Sequence, residues 1–192
     1  MLKKSSFVRF GKRYKEHGMD INIDGVPLNV CCDVKYLGVS FVAGTKLKVS
    51  LSQKRLKFFR AFNSLYASIG ANASHVVMTH LLQTFCIPIV LYGLESVCLT
   101  KSNLCSLQYM LDMSLFKIVK TEDKTTVDYC LYYLNILPVS YALDLRKLKF
   151  LRKQSASANS VVHVLYDINS SKEYEALCAK YRVHNRSNLC SC

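Results

Sequence analysis

The spacing of apolar residues changes once along this chain, near Gly44, and that change limits the folds open to it. Before Gly44, apolar and polar residues alternate in short runs, which is typical of strands with one buried face. After Gly44, apolar residues recur every three or four positions, which is typical of amphipathic helices. We therefore expect an α+β fold, in which a small antiparallel β-sheet over about residues 5–42 precedes an all-helical bundle.

Three segments predict the strands of this sheet. The first surrounds Phe7, and the second belongs to a hairpin whose turn contains Asp24 and Gly25. An Asp-Gly pair between alternating apolar residues is a strong hairpin signal. The third strand is expected from Val34 to Val42, where β-branched and aromatic residues are frequent.

The first helix is expected from Lys46 to Ile69, with one apolar and one basic face. Its predicted apolar face contains Leu47, Leu51, Leu56, Phe59, Phe62, Leu65, Tyr66 and Ile69. Its predicted basic face contains Lys46, Lys48, Lys54, Arg55, Lys57 and Arg60. A cationic row of this kind suits contact with phosphates, although a solvated surface is the ordinary explanation of a charge run.

Later helices are marked by their caps. Ser74 and Thr100 are typical N-cap residues, and further helices are expected over 127–137, 140–154 and 170–181. The last begins with Ser-x-x-Glu, the form of a capping box. Helix 140–154 carries a second basic cluster, which consists of Arg146, Lys147, Lys149, Arg152 and Lys153.

The formal charge of +13 is large for 192 residues and predicts a polyanionic partner. Residues 1–60 hold thirteen Lys and Arg against four Asp and Glu, whereas residues 61–100 hold no Lys or Arg. Nucleic acid and an anionic membrane surface both fit this pattern.

A membrane anchor over residues 74–98 is the alternative reading of the apolar middle. Five residues within this segment are unfavourable in a membrane span, namely His80, Gln83, Pro88, Gly93 and Glu95. The segment also lacks the closely flanking Lys or Arg that would set the orientation of a span. A buried helix broken at Pro88 explains the same residues, and we expect no membrane partner.

The nine cysteines are scattered, and most lie in apolar runs. No secretory signal pattern opens the sequence. We therefore expect reduced thiols in an intracellular protein, cytoplasmic or nuclear and not secreted.

Several short strings occur in an order that resembles a known family. They are Lys-Lys-Ser with an alternating Phe-Val-Arg-Phe-Gly (Lys3 to Gly11), Ile-x-Ile-x-Gly-x-Pro-Leu (Ile21 to Leu28), Val-Lys-Tyr-Leu-Gly-Val (Val34 to Val39), the long basic helix, and Ile-Pro-Ile-Val-Leu-Tyr-Gly-Leu-Glu (Ile87 to Glu95). This succession, over residues 1 to about 155, resembles the end of the palm and then the thumb of reverse transcriptases from non-LTR (LINE-like) retrotransposons.

The resemblance implies roles for particular residues. Lys4 matches the lysine of the family's motif D, near the phosphates of the incoming nucleotide, although it could equally be a solvated lysine. Tyr36, Leu37 and Gly38 match motif E, a primer-grip hairpin, although a plain strand with a tight turn would read the same. The basic helix matches the first thumb helix, whose cations contact the phosphates of the template–primer duplex.

The resemblance also implies an organisation and a set of partners. Residues 1–44 would end the palm, 45–158 would form a thumb-like bundle, and 159–192 a short C-terminal helical tail. The partners would be the backbone of an RNA–DNA or DNA duplex and the rest of the palm and fingers.

One departure from the family bears on catalysis. The family binds two Mg²⁺ ions through Asp residues, including an Asp-Asp pair, and this sequence contains no Asp-Asp. By the family's order that turn would lie upstream of Met1. We therefore expect no metal site, no cofactor and no polymerase activity in this chain alone. A decayed or repurposed scaffold fragment remains an alternative.

A Cys/His group near the end of the chain could be a remnant zinc motif. It comprises Cys178, His184, Cys190 and Cys192. Zinc sites usually begin with a close cysteine pair separated by two to four residues, which this group lacks. Unligated thiols explain it better.

Overall fold

Short strands precede a series of helices in the computed structural model, which describes residues 5–15, 21–23, 25–69 and 73–183. The predicted α+β class is confirmed. By its contacts the chain divides into two compact units, Met1–Asp128 and Tyr129–Cys192. The predicted boundaries at 44/45 and 158/159 stay predictions.

The strands form three small sheets rather than the single antiparallel sheet expected. They are β1 (Ser6–Phe7), β2 (Asn22–Ile23), β3 (Val26–Pro27), β4 (Asn29–Val30), β5 (Asp33–Tyr36), β6 (Val39–Val42) and β7 (Lys48–Ser50). β2 and β3 form the predicted antiparallel hairpin. β1 instead pairs in parallel with β4, and Phe10 makes a further parallel bridge to Gly44.

The three-stranded sheet β5-β6-β7 corrects two predictions. The single strand expected over 34–42 is a hairpin, in which Tyr36 pairs with Val39 across a turn at Leu37 and Gly38. The helix expected from Lys46 begins later, because residues 48–50 alternate and pair with β6. Lys46 and Lys48 therefore lie outside the helix.

The helices of the first unit agree with the predicted caps. They are α1 (Ser52–Ile69), α2 (His75–Leu81), α3 (Ile87–Leu91), α4 (Lys101–Val119) and the first part of α5 (Lys124–Tyr133). The Ser74 hydroxyl accepts a hydrogen bond from the Val77 amide at 3.3 Å, and the Thr100 hydroxyl accepts one from the Asn103 amide at 3.2 Å. Both predicted N-caps are confirmed.

The buried face of α1 differs from the predicted face. Phe58 and Phe62 are each 2% exposed, whereas Leu56 is 45% exposed and Ile69 is 39% exposed. Lys54 shares the buried face with the two phenylalanines, since it lies four residues before Phe58. A lysine within the apolar stripe hid the true face from the sequence pattern.

The apolar segment 74–98 folds as consecutive short pieces in the first unit. α2 runs directly into a π-helical turn over Leu82–Cys86, and α3 follows with Pro88 in its first turn. α3 and the π-helical turn pack on α1, and α2 packs on α4. One face of the run is buried, through Met78, Leu82, Cys86, Val90, Leu91 and Leu94, whereas Val76, Val77 and Phe85 are exposed. The chain stays helical through Pro88.

The second unit contains the end of α5 and three helices, α6 (Val139–Ser155), α7 (Ser160–Asn169) and α8 (Ser171–Tyr181), which contact one another. Leu151, Tyr166 and Tyr174 form its buried cluster. The helix expected over 127–137 ends earlier, at Tyr133. α7 was not expected as a separate helix.

The caps of the second unit also differ from expectation. The Asn159 side chain accepts hydrogen bonds from the amides of Val161 and Val162 and so begins α7. Ser170 precedes α8, but its side chain makes no cap hydrogen bond, so the predicted capping box is wrong.

Candidate nucleic-acid interface

The tip of the β5–β6 hairpin exposes two large side chains. Leu37 and Gly38 have φ angles of 45° and 83°, as a two-residue type I′ turn requires. Tyr36 is 65% exposed and Leu37 is 74% exposed. The three residues that the resemblance assigned to a primer grip therefore lie at the end of β5 and in the turn, with two side chains directed at solvent.

The loop after α3 packs directly against this tip. A Cβ atom placed on Gly38 would lie 3.1 Å from Cε1 of Tyr92, so any other residue would press on the ring and make it shift. Gly93 has a φ of 70°, and a Cβ there would lie 3.0 Å from Cγ2 of Val39. Two glycines thus permit a close approach between segments more than fifty residues apart in the sequence.

Lys54 of α1 is the third member of this contact. Its Nζ donates a hydrogen bond to the Tyr92 carbonyl and lies 5.7 Å from the centroid of the Tyr92 ring. Burial lowers the pKa of Lys54, the charge of Glu95 opposes that shift, and Lys57 adds to it. Lys54 is only 5% exposed, so the prediction that it belongs to a phosphate-contacting row is wrong.

The other predicted cations of this region are exposed. Lys46 and Lys48 lie before and on β7, and Arg55, Lys57 and Arg60 lie on α1. Lys57 and Arg60 are three residues apart, so they share one face of the helix. Phosphate oxygens could reach this face without any change in the core.

The exposed Tyr36 and Leu37 of the hairpin tip and the exposed α1 cations Arg55, Lys57 and Arg60 together form what we call the grip surface. The charge of Lys57 contributes to lowering the pKa of Lys54, which places Lys57 close to the Tyr92 contact. Aromatic rings beside cations can stack on bases or sugars while the cations contact phosphates. The arrangement suits binding to a nucleic-acid backbone without reading its sequence.

The second basic cluster is partly engaged in ion pairs. Lys147 pairs with Glu173 between α6 and α8. Lys149, Arg152 and Lys153 are exposed on α6. This cluster contributes to the packing of the second unit as well as to its surface charge.

The remaining predicted sites are only partly covered by the structure. Lys4, the motif D candidate, lies outside the described residues, and so do His184, Cys190 and Cys192. Cys178 packs against the buried cluster of the second unit. Within the described ranges, no group of three or more His, Cys, Asp or Glu side chains could hold a metal ion.

The membrane alternative can be compared with the helices directly. In the part of the chain that the structure describes, no helix is both long enough and apolar enough to cross a bilayer.

Two contributors were missed by the sequence reasoning. Tyr92 belongs to a string that resembles the family, but nothing in its spacing indicated contact with Gly38. Lys54 was noticed as a cation and not as a buried residue. A search for polar residues at i−4 of an aromatic stripe could have found it, because Phe58 and Phe62 continue the spacing.

Comparison with known proteins adds no relative. No protein-family model matches this chain, no curated protein matches it, and no solved structure matches it. What the chain does must therefore be argued from its own residues and contacts.

Proposed function

We propose that this chain is the part of an RNA-directed DNA polymerase, of the reverse-transcriptase type found in LINE-like retrotransposons, that grips the template–primer duplex. One observation supports it above the others. Two strings that resemble the family, at Tyr36–Gly38 and Leu91–Glu95, lie in contact with each other beside the basic helix α1. Chance resemblance in two unrelated short strings gives no reason for them to meet.

The grip surface would act by position and charge. Lys57, Arg60 and Arg55 would neutralise phosphates, and the hairpin tip would contact the sugars or the end of the primer. The carboxylates that hold Mg²⁺ for phosphoryl transfer would belong to the rest of the palm. The chain alone would bind duplex and add no nucleotide.

Binding to an RNA–DNA duplex tests this proposal. We expect binding without sequence preference, with log affinity falling linearly with log salt by about 0.9 for each phosphate neutralised. Binding that is absent at low salt, or that does not vary with salt, contradicts the proposal and favours a scaffold fragment.

Matched charge variants locate the surface. The triple variant Arg55→Gln, Lys57→Gln and Arg60→Gln should reduce the salt slope by about 2 to 3, because each exposed cation accounts for about one phosphate. The control is Lys149→Gln, Arg152→Gln and Lys153→Gln on α6, which should change the slope less. If the α6 variant reduced the slope more than the α1 variant, duplex binding would belong to the second unit.

A further inference from the structure

Lys54 connects the two elements that carry the grip surface. Its ammonium holds the Tyr92 carbonyl and faces the Tyr92 ring, and the edge of that ring lies against Gly38. The chain of contacts therefore runs from α1 through one loop residue to the hairpin turn. Removing the middle contact would leave the turn itself without a partner from α1, although Val39 would still pack near Gly93.

A lysine is a costly residue at this position. Phe58 and Phe62 follow it on the buried face, and an apolar side chain of similar length would complete that face. Burying an ammonium group costs free energy that one hydrogen bond and a nearby carboxylate only partly return. A buried charge with one specific acceptor is better suited to fixing a geometry than to adding stability.

We propose that Lys54 is a positioning residue that, through Tyr92, holds the hairpin tip in register with the exposed cations of α1. This inference rests on the proposed duplex grip. Lys54 touches no nucleic acid itself. Its role is to keep Tyr36 and Leu37 where they meet the same duplex that Lys57 and Arg60 contact, so that the tip need not be ordered during binding.

The positioning role differs measurably from a phosphate-contacting role. Loss of a pre-ordered contact weakens binding without changing how many phosphates are neutralised. Lys54→Met should therefore reduce affinity for RNA–DNA duplex by about tenfold and leave the salt slope unchanged. Lys57→Met is the matched contact control, and it should lower the slope by about 0.9.

A second control separates the atoms of Tyr92. Tyr92→Phe keeps the ring and the carbonyl, and so should bind as the wild type does. Tyr92→Ala removes the ring that packs on Gly38 and should resemble Lys54→Met. Because the Tyr92 side chain is 59% exposed, its truncation should leave the core intact. If Lys54→Met does not fold, Tyr92→Ala therefore tests whether this contact positions the hairpin tip.

The position of the tip can be followed without nucleic acid. The chain contains no tryptophan, so Tyr36→Trp introduces a single fluorescent reporter at the hairpin tip. In that background Lys54→Met should lower the fluorescence anisotropy of the reporter, and Tyr92→Phe should not. Thermal unfolding of each variant checks that the first unit remains folded.

The outcomes are distinct. Reduced affinity with an unchanged slope and lowered anisotropy supports the inference. A slope reduced by Lys54→Met would mean that Lys54 contacts phosphate, and unchanged affinity and anisotropy would mean that it positions nothing; either result overturns the inference. If the wild-type chain binds no duplex, the proposed function fails, and the anisotropy comparison still decides whether Lys54 holds the tip.

Discussion

Leu37 adopts a backbone conformation that leucine normally avoids. Its φ of 45° lies in the left-handed region, where the Cβ of an L-residue costs roughly 1–2 kcal/mol. Asparagine tolerates this region and is the common residue before glycine in such turns. An exposed leucine at this point therefore lowers stability without contributing to the core.

The variant Leu37→Asn should be more stable than the wild type and bind duplex less well. We expect a gain of about 0.5–1 kcal/mol in the free energy of unfolding, from relief of the left-handed strain. Urea denaturation and RNA–DNA binding measure the two effects. If the variant gains stability and keeps full affinity, Leu37 does not belong to the grip surface.

Lys54 makes stability depend on pH in the alkaline range. Because burial lowers the pKa of Lys54 below its ordinary value of 10.5, the unfolded chain binds more protons than the folded chain between the two values. Stability contributed by this group should rise with pH through that window. Glu95 and Lys57, the charges that face it, modify the shift in opposite directions.

The pH dependence of stability in the wild type and in Lys54→Met tests this prediction. The difference in their free energies of unfolding, from urea titrations between about pH 7 and pH 10, should move in favour of the wild type as pH rises. A difference that is constant across the range would show that the ammonium is not desolvated.

At the scale of elements, the packing of α1 gives a sharp contrast. Phe58 is buried and Leu56 is nearly half exposed, although the sequence pattern placed Leu56 and not Phe58 on the apolar face. Phe58→Ala should lower the free energy of unfolding by about 3–5 kcal/mol, through lost burial and a cavity. Leu56→Ala should cost less than about 1 kcal/mol. Comparable losses of stability in the two variants would mean that α1 buries the face predicted from sequence.

Local signals were sufficient for some elements and not for others. Ser74 and Thr100 mark helix starts because a hydroxyl can satisfy free amides without help from the rest of the fold. The alternation over 34–42 did not mark the turn at Leu37, because leucine does not favour positive φ, and only the resemblance implied a hairpin there. Lys54 broke the apolar period of α1 because a long-range contact with Tyr92 compensates its burial. The sequence therefore predicted what is decided locally, and missed what tertiary contacts decide.

For the whole molecule, the two compact units allow duplex binding and stability to be separated. Leu151 belongs to the buried cluster of the second unit, whereas the grip surface lies in the first. Leu151→Ala should destabilise the second unit by about 2–5 kcal/mol. Duplex affinity below the unfolding transition should stay within about twofold of the wild type.

Hydrogen exchange by mass spectrometry can check this prediction. Increased exchange should be confined to α6, α7 and α8. If affinity falls sharply while α1 remains protected, the cations of α6 take part in duplex binding.

The parallel pairing of β1 with β4, and of Phe10 with Gly44, sets an order of events during synthesis. Ser6 and Phe7 leave the ribosome long before Asn29 and Val30, and Phe10 precedes its partner by thirty-four residues. At about 5–20 residues per second, that delay is about 2–7 s. The helices can begin to form as they emerge, but the first strand must wait with its hydrogen-bonding groups unpaired. β1 is therefore synthesised well before the strand that pairs with it, and for those seconds it is open to a chaperone or to another nascent chain.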